Sequence, residues 1–350
     1  MSMKEIAREV QGKVANLALR MPISWVNILA GPPIAVDGRT LDGRTQWFLK
    51  LLAYSGQPAA HTMSVVEARE DYDAFMKMLG GHPAPVSSIL DRNLPGPAGP
   101  IRIRIYRPAG AVARLLPTIV YFHGGGWVIG SLEGYDLACR YFCARSGCAV
   151  VSVDYRLAPE HKFPAAVDDA LAACRWVAGE AVSLGLDPDR IVVAGDSAGG
   201  TLAAVVAQEM RHEPHPPCLQ WLIYPATDVA GDTPSHRSCG DGFVLTQADM
   251  VWFRMHYLNG DGEIGDPRAS PLHAADLGGV APALVFTAGF DPLRDEGRAY
   301  ANRLIDAGVK TTYVNYPGTI HGFFTLTRFL KQGIKANDEA AAVMGAFFGT

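Results

Sequence analysis

The chain offers no excess of charge to hold a polyanion. Its 31 Lys and Arg against 35 Asp and Glu leave a net charge of -4, so a phosphate backbone finds no basic footprint and nucleic acid is not expected as a partner. Cysteine is sparse. The six residues Cys139, Cys143, Cys148, Cys174, Cys218 and Cys239 contain no CxxC pair and frame no small disulfide-dense module, which fits a reduced cytoplasmic setting. The opening MSMKEIAREV carries acids and lacks the basic start and apolar run of a secretory signal. Met21–Val36 is uncharged but is broken by Pro22, Pro32 and Pro33, and it is shorter than the ~20 residues of a spanning helix. No integral membrane span is expected, while peripheral lipid contact or a lid built from this run stays open. Disorder is equally excluded, because 49% of the residues are hydrophobic and only 19% charged.

What is present is a large α/β pattern. Ile6, Val10, Val14 and Leu17 fall on one helical face, and a second helix is expected after Ser64, where S-x-x-E with Glu67 forms a capping box ahead of Tyr72, Phe75, Met76 and Leu79. At Ile101, Ile103 and Ile105 the period drops to two, with Arg102 and Arg104 between them, as in a strand with one wet face. LPGPAGP before it reads as a turn-rich connector. The stretches PTIVYF (117–122), CAVVSV (148–153), RIVVAG (190–195), LQWLIY (219–224), ALVFTA (283–288) and TTYVNY (311–316) then alternate with helix-compatible sequence. That alternation predicts a mostly parallel central sheet flanked by helices. From Asp228 to about Val280 the interval is too long for a simple connection and predicts a helical insertion. The expected division is therefore N-terminal helices over 1–95, a catalytic domain over 96–227 and 281–350, and an insertion over 228–280.

Four segments carry chemistry. Gly195-Asp196-Ser197-Ala198-Gly199 follows the strand RIVVAG and precedes the helix-forming TLAAVVAQEM. A sharp strand-to-helix turn of this kind exposes Ser197 and sets its backbone at a helix N-terminus suited to an oxyanion. His123-Gly124-Gly125-Gly126-Trp127 follows PTIVYF; its glycines let amide groups face the site in the manner of an oxyanion loop, and no G-K-[ST] follows to make it a phosphate cradle. A serine needs a base, and the base a third group to orient it. Asp291 and His321 each follow a strand and supply that pair.

Other residues fit bland roles better. Asp295 stands one helical turn beyond Asp291; Asp196 braces the helix start and its loop; His123 holds the Gly loop; Glu160, Asp168 and Asp169 serve structural hydrogen bonds; His256 and His273 belong to the insertion. RHEPHPPC, with His212, His215 and Cys218, matches no usual metal spacing. Trp25, Trp47, Phe48, Trp127, Phe243, Trp252 and Phe253 are candidate liners of an apolar pocket, each individually closer to ordinary packing.

With HGGGW, VDYRLAPEHKFPAAVDDA, GDSAGG, DPLRDEG and HGF in this order over residues 98–325, the chain resembles the hormone-sensitive-lipase-like (bacterial family IV) carboxylesterases of the α/β-hydrolase fold. The resemblance implies a nucleophile Ser197, base His321 and orienting Asp291, with the amides of Gly124, Gly125 and Ala198 as oxyanion donors. It also implies a helical cap from the N-terminal helices and the insertion, and a cofactor-free, metal-free serine carboxylesterase acting on short- to medium-chain acyl esters. A small-molecule ester is the expected partner, and a homodimer stays open. Two rivals remain at this level: a hydrolase of amides or bulky esters with the same geometry, and a non-catalytic receptor, since plant gibberellin receptors resemble the same family but lack the working histidine.

Overall fold

The computed structural model describes residues 21–110 and 115–348. The helical stripe Ile6, Val10, Val14 and Leu17 lies outside the described residues.

The expected strands come together in one eight-stranded sheet. In chain order its strands are β3 (Val86–Gly96), β4 (Gly99–Pro108), β5 (Leu116–Phe122), β6 (Ala149–Val153), β7 (Leu186–Asp196), β8 (Leu219–Ile223), β9 (Ala283–Phe290) and β10 (Thr311–Ile320), with spatial order β10-β9-β8-β7-β5-β6-β4-β3. β4 pairs antiparallel with both β3 and β6, and every other pairing in the sheet is parallel. A short hairpin of β1 (Ala35–Val36) and β2 (Arg39–Thr40) stands apart from this sheet. All residues of β5, β6, β8 and β9 are buried, as parallel strands covered on both faces must be. On β4 the period of two is kept: Ile101, Ile103 and Ile105 are buried, while Arg102 and Arg104 meet Asp91, Glu133 and Asp154.

Each face of the sheet has its own core, and alternate residues of one strand serve opposite faces. Val120, Phe122, Val151 and Val193 pack under α5 (Ala165–Glu180), α6 (Ala198–Glu209) and α9 (Arg294–Asp306). Ile119, Tyr121, Val150, Val192 and Trp221 pack under α4 (Asp136–Ser146) and α10 (Lys331–Phe348).

Before the sheet lie α1 (Ile23–Ala30), α2 (Gly43–Ser55) and α3 (Val65–Leu79). Ser64 caps α3 as expected: its side chain accepts from the Glu67 amide, and Glu67 accepts from the Ser64 amide at 3.1 Å. The insertion forms α7 (Pro234–Cys239) and α8 (Gln247–Tyr257), each opened by a threonine capping box at Thr233 and Thr246. Together with α2 and α3 these pieces form a helical cap over the C-terminal ends of the parallel strands. Met21–Val36 supplies α1, whose Ile23, Trp25, Ile28 and Leu29 are exposed. No helix among the described residues is long and apolar enough to cross a membrane.

One reading changes. LPGPAGP is the reversal of the β3–β4 hairpin, with Gly96 opposite Gly99, and the preceding residues form an edge strand that composition conceals. Residues 86–96 mix Ser, Asp, Arg, Asn and Pro with a few apolar side chains, of which only Leu94 is fully buried, so the pairing with β4 rather than a continuous buried face defines them.

Trp221 on β8 is 1% exposed and packs edge-on against Phe142, Phe286 and Phe324. Trp221→Ala is expected to cost about 3–5 kcal/mol of unfolding free energy, read as a lower midpoint in urea.

Candidate active site

Strand order reverses direction at β5, whose neighbours are β6 and β7, and such a switch point opens a crevice at the strands' C-terminal ends. The four candidate segments begin there, because His123, Ser197, Asp291 and His321 each immediately follow the last residue of β5, β7, β9 and β10.

Ser197 adopts φ 55°, ψ -120° between β7 and α6, a conformation a non-glycine residue rarely holds without compensating contacts. The compensation is close backbone packing. A Cβ on Gly199 would fall 2.0 Å from the Phe122 carbonyl oxygen, and one on Gly195 would fall 2.3 Å from the Gly199 carbonyl carbon. The Ser197 amide donates to the Ile223 carbonyl at 2.9 Å, tying the turn to β8 as well.

Ser197 Oγ lies 3.0 Å from His321 Nε2, and His321 Nδ1 lies 2.8 Å from Asp291 Oδ2. Asp291 is fully buried, and its Oδ1 accepts from the Leu293 amide at 2.9 Å. Residues Ile320 and Phe290 are direct partners across β10 and β9, so the two side chains that follow them start side by side. Asp295 is engaged elsewhere: it accepts from the Ser235 amide at 2.9 Å and from Arg294 Nε at 2.8 Å. Arg294, itself buried, donates to the Gly289 carbonyl and to Asp37 of the β1–β2 turn.

The Gly loop differs from expectation at one position. The Gly124 N–H is spent on Asp196 Oδ1 at 2.8 Å and on the Tyr135 hydroxyl at 3.1 Å, so it is not free to face a substrate. The reason is the carboxylate of Asp196, which is buried and needs donors; burial pushes its pKa up, while hydrogen bonds from Tyr121, Tyr135 and the Gly124 amide oppose the rise. Tyr121 donates to it at 2.6 Å and Tyr135 at 2.9 Å. Gly125, Gly126 and Ala198 line the cavity beside Ser197, and their N–H groups have no acceptor among the described residues. His123 is buried with Nδ1 2.8 Å from the Gly124 carbonyl and its ring stacked on Tyr155. It supports the loop, as its sequence position suggests.

The cavity over Ser197 and His321 measures about 670 Å³, within the range of small-molecule sites. Leu52, Phe75 and Met76 wall it from α2 and α3, and Phe243, Phe253 and Leu326 from the other side. Of the candidate aromatic liners, Trp127, Phe243 and Phe253 face this space; Trp25, Trp47, Phe48 and Trp252 do not. Trp127 is stacked on Tyr257 at 4.2 Å, docking α8 onto the Gly loop.

Sequence reasoning missed a buried pair at the cavity wall. His236 lines the cavity and its Nε2 lies 3.3 Å from Glu296 Oε2. Burial lowers the His236 pKa and raises that of Glu296 well above the carboxylate range. Glu296 Oε1 accepts from the amides of Thr227 and Asp228, fastening the start of the insertion to α9. The only sequence signal was the T-x-x-H spacing of Thr233 and His236, a cap rather than a site. His256 bonds the Trp252 carbonyl, His273 meets Asp228, and His215 meets Asp189. Among the described residues no cluster is able to hold a metal ion.

A family model described as the alpha/beta hydrolase fold matches residues 119–325. The carboxylic ester hydrolase LipN of Mycobacterium tuberculosis is 43% identical over 334 residues, 91% of this chain and 88% of that protein. The ethyl acetate hydrolase of Pseudomonas putida is 37% identical over 276 residues, 78% of this chain and 87% of its own length. Among solved structures, an ester-hydrolase from the metagenome of Lake Arreo, complexed with a derivative of bipyridine phosphonate, is 51% identical with a TM-score of 0.86 and covers 89% of this chain and 100% of its own. A hyperthermophilic esterase from the archaeon Pyrobaculum calidifontis is 43% identical with a TM-score of 0.78, covering 82% and 94%. The chain belongs to the α/β-hydrolase fold family, among the esterases and lipases related to the hormone-sensitive-lipase-like (bacterial family IV) carboxylesterases.

Proposed function

We propose that the protein is a serine carboxylesterase that hydrolyses short- to medium-chain acyl esters through an acyl-enzyme. The observation that carries this reading is the continuous hydrogen-bonded line from Ser197 Oγ through His321 to buried Asp291, at the floor of a mainly apolar cavity.

His321 Nε2 takes the proton as Ser197 Oγ attacks the ester carbonyl, and Asp291 holds the ring so that Nδ1 carries its proton toward the carboxylate. The tetrahedral oxyanion is received by the amides of Gly125, Gly126 and Ala198, with Gly126 taking the place first assigned to Gly124. His321 then protonates the departing alkoxide, the acyl-enzyme forms, and a water activated by the same imidazole releases the acid. The residues of α2, α3 and the 228–280 insertion form the cap around the acyl chain, and their apolar walls favour alkyl over charged acyl groups. The six unpaired thiols suit a reducing cytoplasm, and the outward apolar face of α1 suits peripheral contact with lipid.

Purified protein assayed with 4-nitrophenyl esters from acetate to palmitate should be most active on short or middle chains. Ser197→Ala should abolish turnover while leaving the urea midpoint near that of the wild type; equal inactivity of both folded proteins would refute the reading. Asp291→Asn removes the buried charge that orients His321 and should lower kcat by about three to four orders of magnitude, measured under saturating ester.

A further inference from the structure

The cap helix α3 holds the Gly loop through polar contacts as well as covering the cavity. Arg69, Tyr72 and Asp73 stand at spacings of three and four on α3 and therefore share one face. Each grips a different part of the loop between β5 and α4. Arg69 Nε donates to the Val128 carbonyl at 2.8 Å, and its Nη2 donates to the Ala158 carbonyl at 2.9 Å. Asp73 Oδ2 accepts from Ser131 Oγ at 2.6 Å, and Ser131 Oγ in turn accepts from the Gly134 amide at 2.9 Å. The hydroxyl of Tyr72 lies 2.8 Å from that of Tyr135.

The direction of the last bond follows by elimination. With Asp196 as the acceptor, the single proton of Tyr135 points to Asp196 Oδ2, and its oxygen already accepts the Gly124 N–H. Tyr72 must therefore donate. A chain of donors runs from Tyr72 to Tyr135 to Asp196, and both of the last two members hold the Gly124 amide. Gly124 is the residue immediately before the two loop amides that face Ser197. Tyr72 also lines the cavity, together with Phe75 and Met76 of the same helix, so one element bounds the substrate space and fixes the loop.

We infer that Tyr72 is a positioning residue for the oxyanion site, setting the aim of the Gly125 and Gly126 amides through Tyr135, Asp196 and Gly124. The inference rests on the esterase reading above. Removing the Tyr72 hydroxyl leaves the ring and the apolar wall in place but leaves the Tyr135 oxygen one donor short, and the loop loses one restraint. Small displacements of groups that meet the transition state lower kcat more than they weaken ground-state binding.

The test compares wild type, Tyr72→Phe, Tyr135→Phe and the double variant, using 4-nitrophenyl butyrate as substrate and an alkyl trifluoromethyl ketone as probe. The probe accepts Ser197 Oγ at its carbonyl and carries an oxyanion in the adduct. Tyr72→Phe should lower kcat by about tenfold with KM within about twofold, and should raise the inhibition constant of the ketone by the same factor as kcat/KM falls. The double variant should lose no more than Tyr135→Phe alone, because the two hydroxyls act in series. Thermal midpoints measured beside the kinetics separate a folding defect from misplacement. Unchanged kcat and ketone affinity in Tyr72→Phe would overturn the inference, as would a fall in kcat with the ketone bound as tightly as before, or additive losses in the double variant. A wild type that neither hydrolyses the ester nor binds the ketone would instead bring down the esterase reading itself.

Discussion

The site depends on two backbones that pass closer than side chains permit. At the ends of β5 and β7 the Phe122 carbonyl occupies the space where Gly199 would carry a Cβ, and Gly195 packs on Gly199 in the same way. This contact forces the tight turn, and the turn forces Ser197 into positive φ. It also places the first turn of α6 beside the loop that leaves β5. The Ser197 hydroxyl, a helix N-terminus and a set of unpaired amides thereby share one small volume. The strain at Ser197 is sustained by hydrogen bonds on both sides of it, from its amide to Ile223 and to its carbonyl from Ala226 and Thr201.

A second layer of order surrounds the buried carboxylate of Asp196. An unpaired carboxylate in this setting would cost several kcal/mol, and the protein offsets that with two tyrosine hydroxyls and the Gly124 amide. The consequence is a stiff start to the Gly loop. The loop is gripped again from outside, by Arg69, Tyr72 and Asp73 of α3 and by the stack of Tyr257 on Trp127. Cap and sheet domain are thus joined by polar and aromatic contacts at the very segment that carries the Gly125 and Gly126 amides. On the far side, Arg294 links the Asp291 loop to the β1–β2 turn, and Glu296 ties α9 to the start of the insertion.

Much of this was readable in the residues. Continuous apolar runs became the buried parallel strands, the Ser64–Glu67 capping box opened α3, and Ser197, Asp291 and His321 each stand just past a strand end, those of β7, β9 and β10. These features are encoded locally, in period, punctuation and turn chemistry. What the sequence hid depends on contacts between distant segments. Three consecutive glycines give no indication of which amide faces Ser197; that is decided by the buried Asp196, seventy-two residues from Gly124 along the chain. The edge strand β3 has little apolar alternation because its pairing with β4 defines it. His236 and Glu296 meet only after the insertion folds back on α9, and no spacing announces such a pair.

The proposed mechanism makes Ser197 the covalent nucleophile and His321 the base that activates it. The most direct measurement is the intact mass and peptide map of the protein after exposure to a 4-nitrophenyl alkylphosphonate, alongside His321→Ala. One phosphonyl adduct per chain is expected, on the peptide holding Ser197, with little or no adduct in the His321 variant over the same time. A folded wild type that stays unlabelled, or an adduct on another residue with Ser197 unmodified, would contradict it.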